Sequence, residues 1–295
     1  MKKLTIFTPT YNRAHLLPNL YQSILLQTIY NDITWLIIDD CSNDETEDLI
    51  NKYIKNSTIE IKYFKNKINI GKMHTFNKAI ELAESEWFVC VDSDDILLPS
   101  FSDFFKILDI NENVAGYVSK MKIKDYNQNL PHLKYVKFLD LYDEYHYKYD
   151  LLLTFKTKVL KNYKFPKFGN EKFISERVFF TLINGDWEFI IYNEFTISCF
   201  YQPNGYSANS ADIVKSNPVG WAAYYYSLTK TNKNFAESIK YILISSSLFW
   251  LGPTKAREDF LKFYSLTVTE KILLYIGWPI SLIRRIKYNL IKSKS

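Results

Sequence analysis

Along the first hundred residues, short unbroken apolar runs alternate with longer segments whose apolar residues recur every three or four positions. Leu4 to Thr8, Trp35 to Ile38, Ile59 to Phe64 and Trp87 to Val91 are the short runs. They are rich in β-formers and too brief for helices, so they predict buried strands. Leu16 to Leu26, Glu45 to Ile54 and His74 to Ala83 have helical spacing. Asn43 or Asp44 serves as a cap for the second of these, and Pro99 can open a further helix over Ser100 to Leu108. Strand and helix alternating four times predict an α/β fold, a mostly parallel sheet covered by helices.

The second half is less regular. Ala115 to Ser119 and Leu151 to Phe155 read as strands, Asp125 to Tyr149 as a long polar loop, and Val159 to Phe165 is ambiguous. Val178, Phe179, Leu182 and Ile183 give helical spacing that starts at Ser175 or Glu176 and stops at Gly185. Trp187 to Tyr192 and Thr196 to Tyr201 read as two edge strands. From about Ser210 the pattern is helical, with charge-free runs at Tyr241 to Thr254 and Ile272 to Ile283. Neither reaches the ~20 apolar residues that span a bilayer. The expected organisation is a catalytic domain at 1–210, made of a nucleotide-binding half (1–100) and an acceptor-side half (101–210), followed by a helical region at 211–295.

Composition narrows the class. With 295 residues and 47% hydrophobic content the chain can bury a substantial core. Cys41, Cys90 and Cys199 are few, odd in number and far apart, which argues against a disulfide framework or zinc ribbon and fits a reducing compartment. The apolar run at the start stops at Pro9, too soon for a signal peptide, so a cytoplasmic location is expected. A formal charge of +5 suits phosphorylated ligands or an anionic membrane surface and is too weak to imply nucleic acid. The 17% aromatic content suits stacking on bases or sugars, although most such rings belong in a core.

The polar clusters Pro9 to Arg13, Asp39-Asp40, Asn69 to Lys72 and Asp92 to Asp95 all follow predicted strands. They therefore share the sheet edge at which open α/β sheets bind ligands. Asp92, Asp94 and Asp95 put three carboxylates within four residues. Such charges repel and resist desolvation, and persist most readily around a cation or a set of donors; the alternative is an ordinary solvated turn. No Gly-x-Gly-x-x-Gly, P-loop, His-Glu-x-x-His or Gly-x-Ser-x-Gly motif is present. Clustered carboxylates suit Mg²⁺ or Mn²⁺, which commonly bridge a diphosphate.

Thr8-Pro9-Thr10-Tyr11-Asn12-Arg13, Ile38-Asp39-Asp40-Cys41-Ser42-Asn43-Asp44, Asn69-Ile70-Gly71-Lys72 and Val91-Asp92-Ser93-Asp94-Asp95, in this order and spacing, resemble family 2 glycosyltransferases of the GT-A fold, of the kind that builds bacterial surface polysaccharides. The resemblance is close over the first third and looser to about residue 210. It implies that Pro9, Tyr11 and Asp39 hold the nucleotide base. Asp92 and Asp94 would contact the ribose and the metal, with Asp95 as a substitute metal ligand. Asn69, Lys72 and Arg13 complete the expected donor-binding set. Where the family often has an Arg-Asn pair, this chain has Phe76-Asn77, which passes a diphosphate contact to Lys72 or Arg13. Glu176 matches the family's general base, with Ser175 in place of the usual acidic neighbour and Glu171 as the fallback. Tyr201 to Ser207 resembles a segment that often closes these domains, and reads equally as an Asn-Gly turn.

The resemblance implies an inverting, metal-dependent transfer of a sugar from a nucleoside-diphosphate sugar, UDP-linked for preference, to an acceptor hydroxyl of a surface glycan or lipid-linked oligosaccharide. Mn²⁺ or Mg²⁺ is the implied cofactor. The rival readings are a non-catalytic relative that binds nucleotide sugar or acts as a scaffold, a sugar nucleotidyltransferase, which would carry a Gly-rich basic loop after its first strand, and a retaining transferase that does not rely on Glu176. Residues 266–295 join Trp278 and Tyr288 to Arg284, Arg285, Lys287, Lys292 and Lys294. They read either as an interfacial anchor on the inner face of the cell membrane or as a helix packed on the catalytic domain or on a second subunit.

Overall fold

The computed structural model describes residues 2–124, 128–200, 210–279 and 281. In chain order the elements are β1 (Leu4–Thr10), α1 (Leu17–Leu25), β2 (Ile33–Asp39), α2 (Thr46–Asn56), β3 (Glu60–Lys65), α3 (Lys72–Leu82), β4 (Trp87–Cys90), β5 (Ile96–Leu97), α4 (Ser100–Lys106) and β6 (Gly116–Lys122). They continue with β7 (Tyr135–Val136), α5 (Asp140–Asp143), β8 (Leu151–Lys156), α6 (Thr157–Leu160), α7 (Glu176–Asp186) and β9 (Phe189–Ser198). Five helices follow: α8 (Ser210–Ser216), α9 (Pro218–Thr231), α10 (Phe235–Phe249), α11 (Thr254–Phe263) and α12 (Val268–Ile276). The chain forms two compact units, Met1–Lys164 with Ile183–Gly205, and Phe165–Leu182 with Tyr206–Ser295.

The first unit carries the sheet. Among the described residues nine strands join in the order β3-β2-β1-β4-β8-β6-β9-β5, with β7 pairing β9. The pairings set β3, β2, β1, β4, β6 and β9 in one direction, while β8, β5 and β7 run against them. The sheet is therefore mostly parallel, as the strand–helix alternation predicts. Every residue of β2 is buried, as a strand covered by helices on both faces must be. On one face Trp35 stacks on Tyr21, which stacks on Tyr53 of α2. On the other, Phe7 meets Phe76 of α3 and Phe88 of β4. Adjacent β1 residues Ile6 and Phe7 thus feed opposite layers, following the strand's two-residue period. At Gly116 a side-chain carbon would lie 2.0 Å from the Thr154 carbonyl oxygen, so the β6–β8 pairing needs glycine there.

Two sequence expectations need correction. The two edge strands are one ten-residue strand, β9, lying between β6 and β5. The polar pair Asn193-Glu194 that divides the run falls where the β6–β9 register shifts, from Ser119 opposite Tyr192 to Lys120 opposite Phe195. A bulge absorbs those residues without ending the strand. The supposed loop after residue 125 holds β7 and α5, anchored by buried Leu130, Val136, Phe138, Leu139 and Leu141; residues 125–127 lie outside the described set.

The second unit is helical. Phe168, Tyr226, Phe249 and Tyr264 gather around Phe260. Ser245, Ser246 and Ser247 are buried on α10, and the Ser245 hydroxyl donates to the Ala222 carbonyl of α9 at 2.8 Å. The charge-free run that begins at Tyr241 is thus a helix–helix packing face, with small residues allowing close approach. Thr267 and Glu270 form a reciprocal cap that starts α12. Among the described residues no helix is long and apolar enough to cross a membrane. The basic tail at 282–295 and the Tyr201–Ser207 segment lie outside the described residues.

Candidate active site

The loops after β1 and β2 are bound into one rim. Thr10 aligns with Asp39, which sets the two loops side by side. The Ser42 hydroxyl accepts from the Asn12 N–H at 2.8 Å, the Asn12 side-chain oxygen accepts from the Asn43 N–H at 2.8 Å, and Asp44 accepts from the Ala14 N–H at 3.0 Å. Asn12 and Cys41 hold positive φ, 53° and 74°, to make these tight turns. Pro9 lies at the end of β1 opposite Ile38, and beyond it Tyr11 is 44% exposed.

Asp39 and Asp40 end β2 in different ways. Asp39 is fully buried; its Oδ1 accepts from the Ser42 N–H at 2.7 Å and its Oδ2 from the Tyr63 hydroxyl at 2.8 Å. Asp40 accepts from the Asn66 side-chain amide at 2.9 Å, the Ile70 N–H at 2.9 Å and the Gly71 N–H at 2.7 Å. Asp40 therefore clamps the Asn69-Ile70-Gly71 loop, in which Asn69 is half-buried and Gly71 takes φ 92°, open to glycine at little cost. The clamp delivers Lys72 to the first turn of α3.

After β4 the chain turns through Asp92 to Asp95, closed by the Asp95 N–H donating to the Asp92 carbonyl at 3.1 Å. Lys72 pairs with Asp92 at 2.7 Å and Arg13 with Asp94 at 3.4 Å. Asp92 Oδ1 is buried without a hydrogen-bond partner. Burial, then the charge of Asp92, raises the Asp94 carboxyl above its ordinary range. Asp95 is pushed up to about 8 by burial, then by Asp92 and Asp94, against a hydrogen bond from the Cys199 thiol. That thiol is itself raised, by its own burial first and then by Asp95. The site thus brings together Pro9, Tyr11, Arg13, Asp39, Asn69, Lys72, Asp92, Asp94 and Asp95 on consecutive loops of the first unit.

The acidic residues of the second unit are set differently. Glu176 is the first residue of α7 and half-buried. Glu171 is buried, and its two oxygens accept from the Val219 N–H at 3.0 Å and the Gly220 N–H at 2.7 Å. Those are unsatisfied donors at the start of α9, so Glu171 caps that helix from a distant part of the sequence. Burial lifts it to about 7 while both N–H groups pull it down.

Sequence reasoning missed Tyr63, Cys199 and the clamp made by Asp40. Tyr63 meets Asp39 because β2 and β3 pair with Ile37 opposite Tyr63, and nothing local to either stretch signals this. For Asp40 a signal existed: a second acidic residue beside Asp39, followed one strand later by Asn66 and a glycine loop.

The family model for glycosyl transferase family 2 matches residues 5–174, more than half of the chain. An uncharacterized glycosyltransferase of Methanocaldococcus jannaschii is 25% identical over 205 residues, 66% of this chain and 69% of that protein. TarS of Staphylococcus aureus, a poly(ribitol-phosphate) β-N-acetylglucosaminyltransferase, is 30% identical over 99 residues, 33% of this chain and 17% of that protein. Its crystal structure with UDP-GlcNAc matches at a TM-score of 0.59 and 17% identity, over 93% of this chain and 79% of that one. A mannosyltransferase of Pyrobaculum calidifontis, in complex with GDP-Man and Mn²⁺, matches at 0.54 and 15% identity, over 95% of this chain and 80% of that one. In several other curated relatives the match spans only 27% to 36% of the length. With its Asp-rich turn, laced rim loops and sheet order all on one GT-A scaffold, the chain belongs to glycosyltransferase family 2.

Proposed function

We propose that the protein transfers a sugar, with inversion, from a nucleoside-diphosphate sugar, UDP-linked for preference, to a hydroxyl of a surface glycan. The observation that carries this reading is the turn after β4, where a buried, unpartnered Asp92 oxygen lies among carboxylates that burial and mutual repulsion hold at raised pKa. Such a set suits a hard divalent cation. Asp94 and Asp95 are the residues that would hold Mn²⁺ or Mg²⁺. Among the described residues no three His, Cys, Asp or Glu side chains converge as a ready cation cage, so diphosphate and water oxygens would complete the shell. Such a cation would stabilise the charge that builds on a departing diphosphate. Relatives point the same way: TarS is a poly(ribitol-phosphate) β-N-acetylglucosaminyltransferase, and the Pyrobaculum enzyme is seen with Mn²⁺.

The chain's own residues do the remaining work. Tyr11 would offer a face for the base, beside Pro9 and above the buried Asp39. Arg13 and Lys72, each paired with a carboxylate of the turn, exchange those partners for diphosphate oxygens when the donor arrives. Glu176 accepts the acceptor hydroxyl's proton as the new glycosidic bond forms. Val268, Ile272, Tyr275 and Ile276 of α12, with Trp278, are at least half exposed. At i, i+4, i+7 and i+8 they form one apolar stripe, and with the basic sequence that follows they fit the surface of an anionic membrane carrying the acceptor.

Calorimetry of UDP binding with and without Mn²⁺ tests the donor site: binding that strengthens with the cation is expected, and no binding of any nucleoside diphosphate would sink the reading. Glu176→Gln should leave UDP binding intact while turnover falls about a hundredfold. Normal turnover in that variant would remove Glu176 as base, and donor binding without any turnover in the unaltered protein would favour a non-catalytic relative. Retention on phosphatidylglycerol vesicles, lost on replacing Ile272 and Trp278 with Ser, tests the membrane surface.

A further inference from the structure

Helix α9 makes an exchange at its start that its own stability does not call for. Asn217 stands at the N-cap position, where a side chain ordinarily accepts from the first N–H groups of its own helix, yet it makes no such bond. Its Oδ1 instead accepts from the Lys172 N–H at 2.8 Å and the Phe173 N–H at 3.0 Å, in the segment that leads to α7. The Val219 and Gly220 N–H groups donate to Glu171 of that same segment. Asn217 and Glu171 are 7% and 5% exposed, so these bonds are shielded from competing water. Packing repeats the grip: the Phe173 ring stacks on Trp221 with centroids 5.6 Å apart, and a side-chain carbon at Gly220 would lie 2.2 Å from the Phe173 carbonyl oxygen. At the far end of α9, about 20 Å along, the Thr231 hydroxyl accepts from the Arg177 guanidinium at 2.7 Å. The chain from Glu171 to Arg177 is thus held to one helix at both ends, and Glu176 lies between them.

We infer that α9 positions the proposed base: Asn217 and Glu171, by trading caps, fix the chain that carries Glu176, and the helices after residue 210 take part in catalysis as its brace. Asn217 and Thr231 are then positioning residues, acting through Glu176 without meeting a substrate. The need for a brace is local. Residues 171–175 form neither helix nor strand, so no regular element just before α7 fixes where that helix begins. A base must lie within about 3 Å of the proton it takes, and a displacement of about 1 Å can cost a hundredfold in rate. The inference rests on the reading of Glu176 as the base.

The test follows UDP released by the full chain from UDP-GlcNAc, UDP-glucose and UDP-galactose with Mn²⁺, water standing in for the acceptor hydroxyl, beside calorimetric affinity for UDP. Asn217→Ala should lower kcat about tenfold to a hundredfold, while UDP affinity and donor KM stay within about twofold. Asn217→Asp keeps an acceptor for both N–H groups and should recover most of the rate. Thermal melting separates these effects from loss of folded protein. Should Asn217→Ala not fold, Thr231→Val, which deletes only the Arg177 bond, should show the same split at about threefold. The inference is overturned by an unchanged kcat in whichever of these variants folds, by a rate no better in Asn217→Asp than in Asn217→Ala, or by a loss of UDP affinity that matches the loss of rate. Glu176→Gln in the same assay keeps the two readings apart: if it is impaired, the base stands whatever α9 does. If it turns over normally, or the unaltered protein releases no UDP from any of the three donors, the base reading falls and this inference with it.

Discussion

Two carboxylate groups at the same sheet edge have opposite fates. After β2, Asp39 and Asp40 are buried and met by donors: between them they accept five hydrogen bonds, three from backbone N–H groups. After β4, Asp92, Asp94 and Asp95 are partly or largely buried among one another, with one oxygen unmatched and two acids at raised pKa. The first group spends its charge on building loops. The second is met only in part, by Lys72 and Arg13, and burial with mutual repulsion raises two of its acids, which costs stability. Residue type is alike in the two, but the first pair is the more deeply buried and the better supplied with donors.

The largest expected effect comes from Asp94→Asn. Turnover should fall about a thousandfold and lose its response to Mn²⁺, while melting temperature holds or rises because a repulsion is removed. Full metal-stimulated turnover in that variant would erase the contrast between the two groups. Asp40→Ala should do the reverse, lowering stability by about 3 kcal/mol because buried N–H groups lose their acceptor. Chemical denaturation measures this, and an unchanged midpoint would show that Asp40 is not a clamp.

A smaller effect extends the comparison to Glu171, a capped carboxylate that burial lifts from its usual 4.5 to about 7. Within that window the folded state binds more protons than the unfolded one, so this group's contribution to stability is full below pH ~4.5, declines as pH rises, and is gone above pH ~7. Glu171→Gln cannot ionise and should flatten that part of the pH–stability curve. An identical slope in the variant would assign the pH dependence elsewhere.

The first four strands and three helices were legible because each run keeps a single period over its whole length, and the loops between them carry turn residues. Predicted and observed ends differ there by a residue or two: the third helix begins at Lys72 rather than His74 because Gly71 supplies the turn. Legibility fails where a distant partner decides. Asn193-Glu194 reads as a break until Lys120 and Met121 are seen to absorb the offset. Two-residue strands such as β5 and β7 have no period and exist only because β9 pairs with both. Among site residues, those in strand-end loops could be named from order and spacing, whereas Tyr63 and Cys199 gain their partners through sheet register alone.

Asp40's grip on Ile70 and Gly71 bears on the thermodynamics of recognition. Ordering a loop of this length at the moment of binding would subtract several kcal/mol from affinity, at about 1–2 kcal/mol per residue. Here that entropy is surrendered once, when the chain folds, so a donor bound as proposed would meet a loop whose backbone is already ordered.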